Sequence, residues 1–499
     1  MSDRTSQLDR ALASAYDACL RLADWCASHR AIMLFVAAPV FTALVAAIGR
    51  LILHDFPNSG DEYAYFYQAA TLAGGRLWNV GFPLPDFFAF NYLIQVDGKE
   101  YSSFPVGWPL LLALAMRLHV PAWLVNPILG TLSLVLIAAL GARLHTIRVG
   151  ILAAGITAVS GFFLFNAASY FSHTFCGILI LAAAYLAARE DRTPWWVPAL
   201  LGFLLGWAVL ARYFTGFICA IPVLVLLCRS GVPLVRSLLW CAIGGVPWIL
   251  VLAAYNMALN GSPWDLTTLP STVGLWFAPK FALRGADILS TQMLRLVLWT
   301  PPLLLFLYIY YLARADRAVR RGLIDWMPVL MAAVLYSYVE RGGNQYGPRF
   351  YYETFPFLVL FTTACVFREA EPGQKPRRDR AAFGLLAASL IVMPLSFAVH
   401  AFIEHRVISE RMNPYRMAAA AGLSDAIVLI GGRVGTTRPM GPLDLTRNGI
   451  DHDGRVLYAL DIDREVNCQL RMAYPDRTLH SYAWDAQSRR GRLQPVSCP

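Results

Sequence analysis

The residues best suited to chemistry in this chain are carboxylates and arginines set beside long apolar runs. Pro57-Asn58-Ser59-Gly60-Asp61-Glu62-Tyr63-Ala64-Tyr65-Phe66-Tyr67 places two adjacent acids at the head of an aromatic stretch. The spacing Ser59-x-x-Glu62 is a capping box, in which the serine closes a helix start and the glutamate reaches back to the serine N–H. Glu62 is therefore either a cap or the second member of a catalytic carboxylate pair. The box leaves Asp61 explained only by the helix dipole, which favours an acid in the first turn. A carboxylate held at a helix start is also well placed to act as a general base. Arg212 lies in a very short turn, Val209 to Gly216, between two apolar runs, and Arg349 lies in Gln345-Tyr346-Gly347-Pro348-Arg349-Phe350-Tyr351-Tyr352-Glu353. Charge at membrane depth costs at least about 2.5 kcal/mol, so such residues pair or bind something. Arginine's planar fork matches phosphate oxygens in two-point contacts. The structural alternative is an Arg349–Glu353 pair at i, i+4, or Arg341 tied to the surroundings of Glu340. His173, beside Ser172, is either a substrate contact or a hydrogen-bonded structural histidine. Tyr65, Tyr346 and Tyr352 border these groups as further candidate substrate contacts.

The elements that must position these residues are membrane spans. The chain has 499 residues, 57% of them hydrophobic and 15% charged, against about 45–50% and about 25% in soluble domains. The first apolar run, Ala31 to Leu53, exceeds the roughly 20 residues needed to cross a bilayer. It is also too long for the apolar part of a cleaved secretory signal. Before it, Leu8, Leu12, Ala15, Cys19, Leu22 and Cys26 recur at helical spacing, so residues 1–30 read as an amphipathic helix on the inner membrane surface. Further runs centred near 131, 158, 181, 204, 221, 246, 303, 333, 360 and 392 bring the expected total to about eleven spans. The run Pro109 to Leu118 is too short to cross and reads as a half-helix. The fold class expected is a polytopic α-helical membrane protein, with residues 31–405 as the spanning module and a long first outer loop over 54–104.

Orientation follows from the loops. Arg143 and Arg148; Arg189 and Arg192; Arg229 and Arg236; Arg314, Arg317, Arg320 and Arg321; and Arg368 to Arg380 lie on one side, whereas loop 54–104 holds only Arg76 and Lys99 as bases. The positive-inside bias puts the N-terminus in the cytoplasm and that loop outside; an odd number of spans puts the C-terminus outside too. The net charge of +10 is thus topological and argues for membrane lipids, not nucleic acid, as surroundings. Tyr63, Phe66, Tyr67 and Ala70 share one helix face, as in a helix resting at the membrane interface. Residues 406–499 lack a spanning run. Ala426 to Ile430, Val456 to Leu460 and Leu470 to Tyr474 read there as strands separated by turns such as Asn448-Gly449 and Asp453-Gly454. A small extracytoplasmic α/β domain is expected, and Cys468 and Cys498, alone in an oxidising compartment, can pair within it.

At Asp61-Glu62, Phe104-Pro105-Val106-Gly107-Trp108-Pro109, Gly206 to Thr215 and Arg349-Phe350-Tyr351 running into Pro356, the chain resembles the GT-C class of membrane glycosyltransferases. It looks most like the branch holding protein O-mannosyltransferases and lipid A aminoarabinose transferases, over roughly residues 30–405. The resemblance implies an inverting transferase of a bacterial inner membrane that takes a sugar from a polyprenyl-phosphate-linked donor. A glycan, lipid or protein would be the acceptor outside the cytoplasm. It also implies Asp61 as the base toward the acceptor hydroxyl, and Arg212, Arg349 and Arg341 as holders of the donor phosphate. A lysine common in the family before the returning prolines is replaced here by Ser103-Phe104. Some members use a divalent metal, for which Glu62 and His173 are the available ligands. Two other classes share part of this pattern: a lipid-linked-sugar transporter or flippase, and a glycan polymerase or ligase. A transporter would be expected to bury ionisable groups near the bilayer midplane, whereas here they gather at the outer rim.

Overall fold

The computed structural model describes residues 2–189, 194–228, 233–264, 282–336, 343–367 and 377–498. Helices dominate. Among the described residues, four are long and apolar enough to cross a membrane: Arg30–Ile52, Ala122–Leu144, Leu234–Asn260 and Arg380–Arg411. The number rises to six if each of two bent helix pairs counts as one span. Among the described residues, several of the apolar runs expected to span are broken or short helices. The run near 303 is two helices, Arg284–Trp299 and Leu304–Arg314, bent by 112° where Pro301-Pro302 cannot continue the helical ladder. The run near 158 is likewise Ile147–Ala158 and Gly161–Ala167, bent by 72°. The half-helix is present as Gly107–Arg117, and four other apolar helices, among them His173–Ala187, Trp196–Ala211 and Tyr213–Cys228, have 10–17 residues.

The N-terminal segment is a helix over Ser2–Ser28. Its buried Tyr16 stacks on Phe367 at 5.2 Å and meets Phe383 edge-on, and Asp24 pairs with Arg148 at 2.7 Å. The helix is thus tied to the ends of the bundle.

Loop 54–104 is ordered throughout. It holds the helix Gly60–Ala73 and an antiparallel sheet of β1 (Asn79–Val80), β2 (Leu93–Val96) and β3 (Lys99–Ser102), in the order β1-β3-β2. Asp97 and Gly98, at φ +50° and +72°, close the β2–β3 hairpin as a two-residue turn whose positive φ values match the strand twist. The C-terminal sheet comprises β4 (Ala426–Ile430), β5 (Val456–Leu460), β6 (Thr478–Asp485) and β7 (Arg490–Pro495) in the order β5-β4-β6-β7. β5 and β6 run parallel to β4, and β7 antiparallel to β6. Two expected strands are correct. The third, Leu470 to Tyr474, is instead covered by the helix Gln469–Ala473. Cys468 and Cys498 form a disulfide across 30 residues. The helix that precedes this domain runs on to Arg411, so no break in secondary structure marks residue 406.

The tail does not fold on its own core alone. β4 is buried throughout, and its alternate side chains enter two clusters. Ile427 and Leu429 pack with Phe82, Phe87 and Phe88 of loop 54–104, whereas Val428 and Ile430 pack with Val434, Leu445 and Tyr482. The segment carrying Phe82, Phe87 and Phe88 and the tail therefore share a hydrophobic core.

Candidate active site

The helix carrying the acids begins as its residues dictate. Ser59 Oγ accepts from the Glu62 N–H at 3.2 Å, and the Ser59 N–H donates back to Glu62 Oε2 at 3.1 Å, completing the capping box. Glu62 is fully buried. Its Oε1 accepts from the Tyr170 N–H at 3.0 Å, and its Oε2 also lies 3.3 Å from Gln345 Nε2. Burial pushes its carboxyl up to about 7, the Tyr170 N–H opposing and the neighbouring Asp61 adding to the shift. Glu62 thus caps its helix and ties the helix start to the turn before His173. The helix is not resting at an open interface. Tyr65 and Ala69 face the bundle core. On the other side Tyr63 donates to the Asn448 carbonyl and Tyr67 to Glu100, both at 2.5 Å.

Asp61 lies on the remaining side and keeps 13% of its side chain exposed. Its Oδ2 accepts from Arg349 Nη2 at 2.6 Å, and its Oδ1 has no hydrogen-bond partner among the described residues. Arg349 is 11% exposed and stands 4.0 Å over the Phe171 ring. The pairing of Arg349 with Glu353 does not occur. Glu353 is fully buried, and its Oε1 is shared by Arg212 Nε at 3.1 Å and His173 Nδ1 at 3.0 Å. Arg212 also donates to Ser172 Oγ at 3.2 Å, and Ser172 Oγ donates to Tyr65 Oη at 3.2 Å. The guanidinium carbons of Arg212 and Arg349 lie 5.7 and 5.8 Å from the centre of the Phe350 ring. Two ion pairs from distant parts of the chain thus flank one aromatic ring.

Backbone approach sets the place of Arg212. A Cβ on Gly107 would stand 2.6 Å from the Ala211 nitrogen and 2.8 Å from the Leu210 oxygen, so only glycine lets the returning half-helix press on the turn before Arg212. Trp207 Nε1 donates to the Gly107 carbonyl at 3.1 Å and pins the contact. On the other arm, Tyr346 and Gly347 take φ +56° and +89° and turn the chain sharply before Arg349.

The remaining expected contacts fall behind this centre. Tyr346 is fully buried, its hydroxyl accepting from Asn58 Nδ2 at 3.3 Å. Tyr352 is buried and accepts from Thr174 Oγ1 at 3.5 Å. Both are walls of the site. Arg341 lies outside the described residues. The metal expectation does not fit: among the described residues no three His, Cys, Asp or Glu side chains come together, Glu62 is committed to backbone N–H groups and His173 Nδ1 to Glu353. Sequence reasoning gave Glu353 no role beyond a partner for Arg349. Its signal was a lone acid running into the apolar stretch Thr354 to Val366.

An apolar cavity of about 160 Å³ lies beneath the Arg349–Thr354 segment, lined by Leu296, Tyr308, Pro328, Tyr351, Phe355 and Leu358 among others.

No curated protein matches the chain in sequence. Residues 426–498 match a domain of unknown function (DUF7846). Among solved structures, ArnT from Cupriavidus metallidurans bound to undecaprenyl phosphate is similar at a TM-score of 0.52 and 11% identity, over 94% of this chain and 99% of that one. The likeness covers more of the chain than residues 30–405 could supply, so it reaches beyond the spanning module. Archaeoglobus fulgidus oligosaccharyltransferase AglB, in complex with an inhibitory peptide and a dolichol-phosphate, matches at TM-score 0.42 and 13% identity over 80% of this chain and 62% of that one. Mycobacterial arabinofuranosyltransferase AftD matches at 0.41 and 15%, over 85% and 32%. The chain is a multi-pass, mostly helical protein with the fold of the GT-C membrane glycosyltransferases, in the form seen in ArnT.

Proposed function

We propose that the protein is an integral membrane glycosyltransferase. It moves a sugar from a polyprenyl-phosphate-linked donor to the hydroxyl of an extracytoplasmic acceptor, with inversion at the anomeric carbon. The observation that carries this reading is the Asp61–Arg349 pair at the outer-loop helix start, with the second carboxylate oxygen unengaged among the described residues. In the step envisaged, Asp61 Oδ1 takes the acceptor proton as the acceptor oxygen attacks the sugar carbon. The bond from that carbon to the phosphate oxygen breaks, and the phosphate leaves with the electron pair. Arg349 and Arg212 stabilise the charge gathering on it. Glu353 acts through Arg212 by fixing its fork. His173 Nε2, buried with no hydrogen-bond partner among the described residues, is the polar group left for the sugar. The apolar cavity beside Tyr351 supports a lipid-linked donor, as does the likeness to a structure that binds undecaprenyl phosphate. The N-terminus would be cytoplasmic, and the site and tail would lie outside a bacterial inner membrane.

The test is transfer from undecaprenyl-phosphate-linked hexoses and pentoses into washed membranes. Asp61→Asn should abolish transfer while leaving expression, folding and undecaprenyl phosphate binding intact. Normal transfer by that variant would sink the assignment, and movement of donor across liposomes without Asp61 would favour a flippase.

A further inference from the structure

The end of the last long helix and the tail together grip the residues immediately before Asp61. Positions 56–58 have no regular structure; the Phe56 N–H donates to the Leu53 carbonyl at 3.0 Å, and Pro57 has no N–H to offer. Two buried arginines add to that hold. Arg411 donates through Nη1 to Asn58 Oδ1 at 2.6 Å and to the Asn58 carbonyl at 3.2 Å, and through Nη2 to the Arg438 carbonyl at 2.8 Å. Arg447 donates through Nη1 to the Pro57 carbonyl and through Nε to the Asp444 carbonyl at 2.8 Å, its guanidinium lying 4.4 Å over Phe56 and 5.3 Å over Tyr63. A Cβ on Gly60 would stand 2.4 Å from Asp444 Oδ1, so the tail touches the helix one residue before Asp61. Asn58 extends the grip to the second partner of the pair, because its Nδ2 donates to the hydroxyl of Tyr346, three residues before Arg349.

We propose that the C-terminal domain, which includes the matched domain of unknown function, and the helix end that leads into it form a clamp on the site, with Arg411 on the helix and Arg447 on the domain as positioning residues for both Asp61 and Arg349. The proposal rests on the reading of Asp61 given above. Docking a surface domain does not require two arginines that are 8% and 9% exposed to converge on one irregular segment. Arginine's rigid fork fixes direction as well as distance, and a catalytic group displaced by about 1 Å loses on the order of a hundredfold in rate.

The experiment uses the full chain in lipid nanodiscs, with the undecaprenyl-phosphate sugar that supports transfer as donor. Arg447→Met and Arg411→Gln should lower kcat about 10- to 100-fold with donor KM within about threefold, and should speed amide hydrogen exchange in residues 56–63 but not in 196–211. Arg447→Lys should recover part of kcat. Arg76→Ala breaks an exposed 2.6 Å pair with Asp451 in the same interface and should change neither readout. If Arg447→Met does not accumulate, Tyr63→Phe, which deletes only the hydroxyl on Asn448, should still lower kcat several-fold. Wild-type kcat in these variants, or an equal loss in Arg76→Ala, overturns the clamp while an inactive Asp61→Asn leaves the assignment of the site standing. Transfer that survives Asp61→Asn overturns both.

Discussion

Replacing Arg349 with glutamine tests whether the Asp61–Arg349 contact is a working part of the site. The variant removes a charge-assisted hydrogen bond of 2.6 Å and a guanidinium held 4.0 Å over Phe171. The first is worth about 1.5–3 kcal/mol and the second about 0.5–2 kcal/mol when desolvated. Both partners are only 11–13% exposed, so solvent screens little of this. A loss of about 2–4 kcal/mol, expressed in the transition state, lowers kcat/KM roughly 30- to 1,000-fold at 1.36 kcal/mol per tenfold. Arg349→Lys keeps the charge but loses the planar stack and the fork, and should sit between the two, about tenfold below wild type. The assay is initial-rate transfer from the undecaprenyl-phosphate sugar, alongside undecaprenyl phosphate binding by native mass spectrometry. If Arg349→Gln kept kcat/KM within about threefold of wild type, the pair would be structural and the reasoning wrong.

Glu62 carries a pH signature. Its carboxyl, near 7 when folded against the ordinary 4.5, makes the folded chain bind more protons than the unfolded chain between those values, so stability falls as pH rises from about 4.5 to about 7. The fall attributable to Glu62 is about 3 kcal/mol, and Glu62→Gln should flatten thermal midpoints across that window; equal slopes in both proteins would count against it. The Cys468–Cys498 disulfide closes a loop of 30 residues, for which chain entropy suggests about 3.5 kcal/mol. Cys498→Ser should therefore speed limited proteolysis of the tail without exposing the spans, and unchanged cleavage would refute it.

Much of the local design is legible residue by residue. The capping box, the half-helix after Pro105, and β4 and β5 form where spacing and turn residues place them, because each depends on neighbours a few positions away. Asp97-Gly98, between β2 and β3, is a hairpin signal of the same local kind. Breaks within apolar runs were harder to read, since hydropathy averages over Pro301-Pro302 without registering that proline ends the helix. The strand expected at 470–474 is a helix because a short apolar run in isolation does not distinguish the two.

Sequence alone determined that charge is scarce in this chain, and scarcity singled out Asp61, Glu62, Arg212 and Arg349 as residues needing an explanation. Partner choice was decided only in three dimensions. Arg349 bypasses Glu353, four residues away, for Asp61, 288 residues away, because the turn at Tyr346-Gly347 aims it toward the start of the Gly60–Ala73 helix. Glu353 instead faces inward to Arg212 and His173. Adjacent acids were likewise separated by the helix they begin: Glu62 points into the protein as its cap, and Asp61 keeps access to solvent. The grip of Arg411 and Arg447 on residues 57 and 58 had no sequence signal, since carbonyl acceptors exist at every position and only folding selects which two an arginine meets.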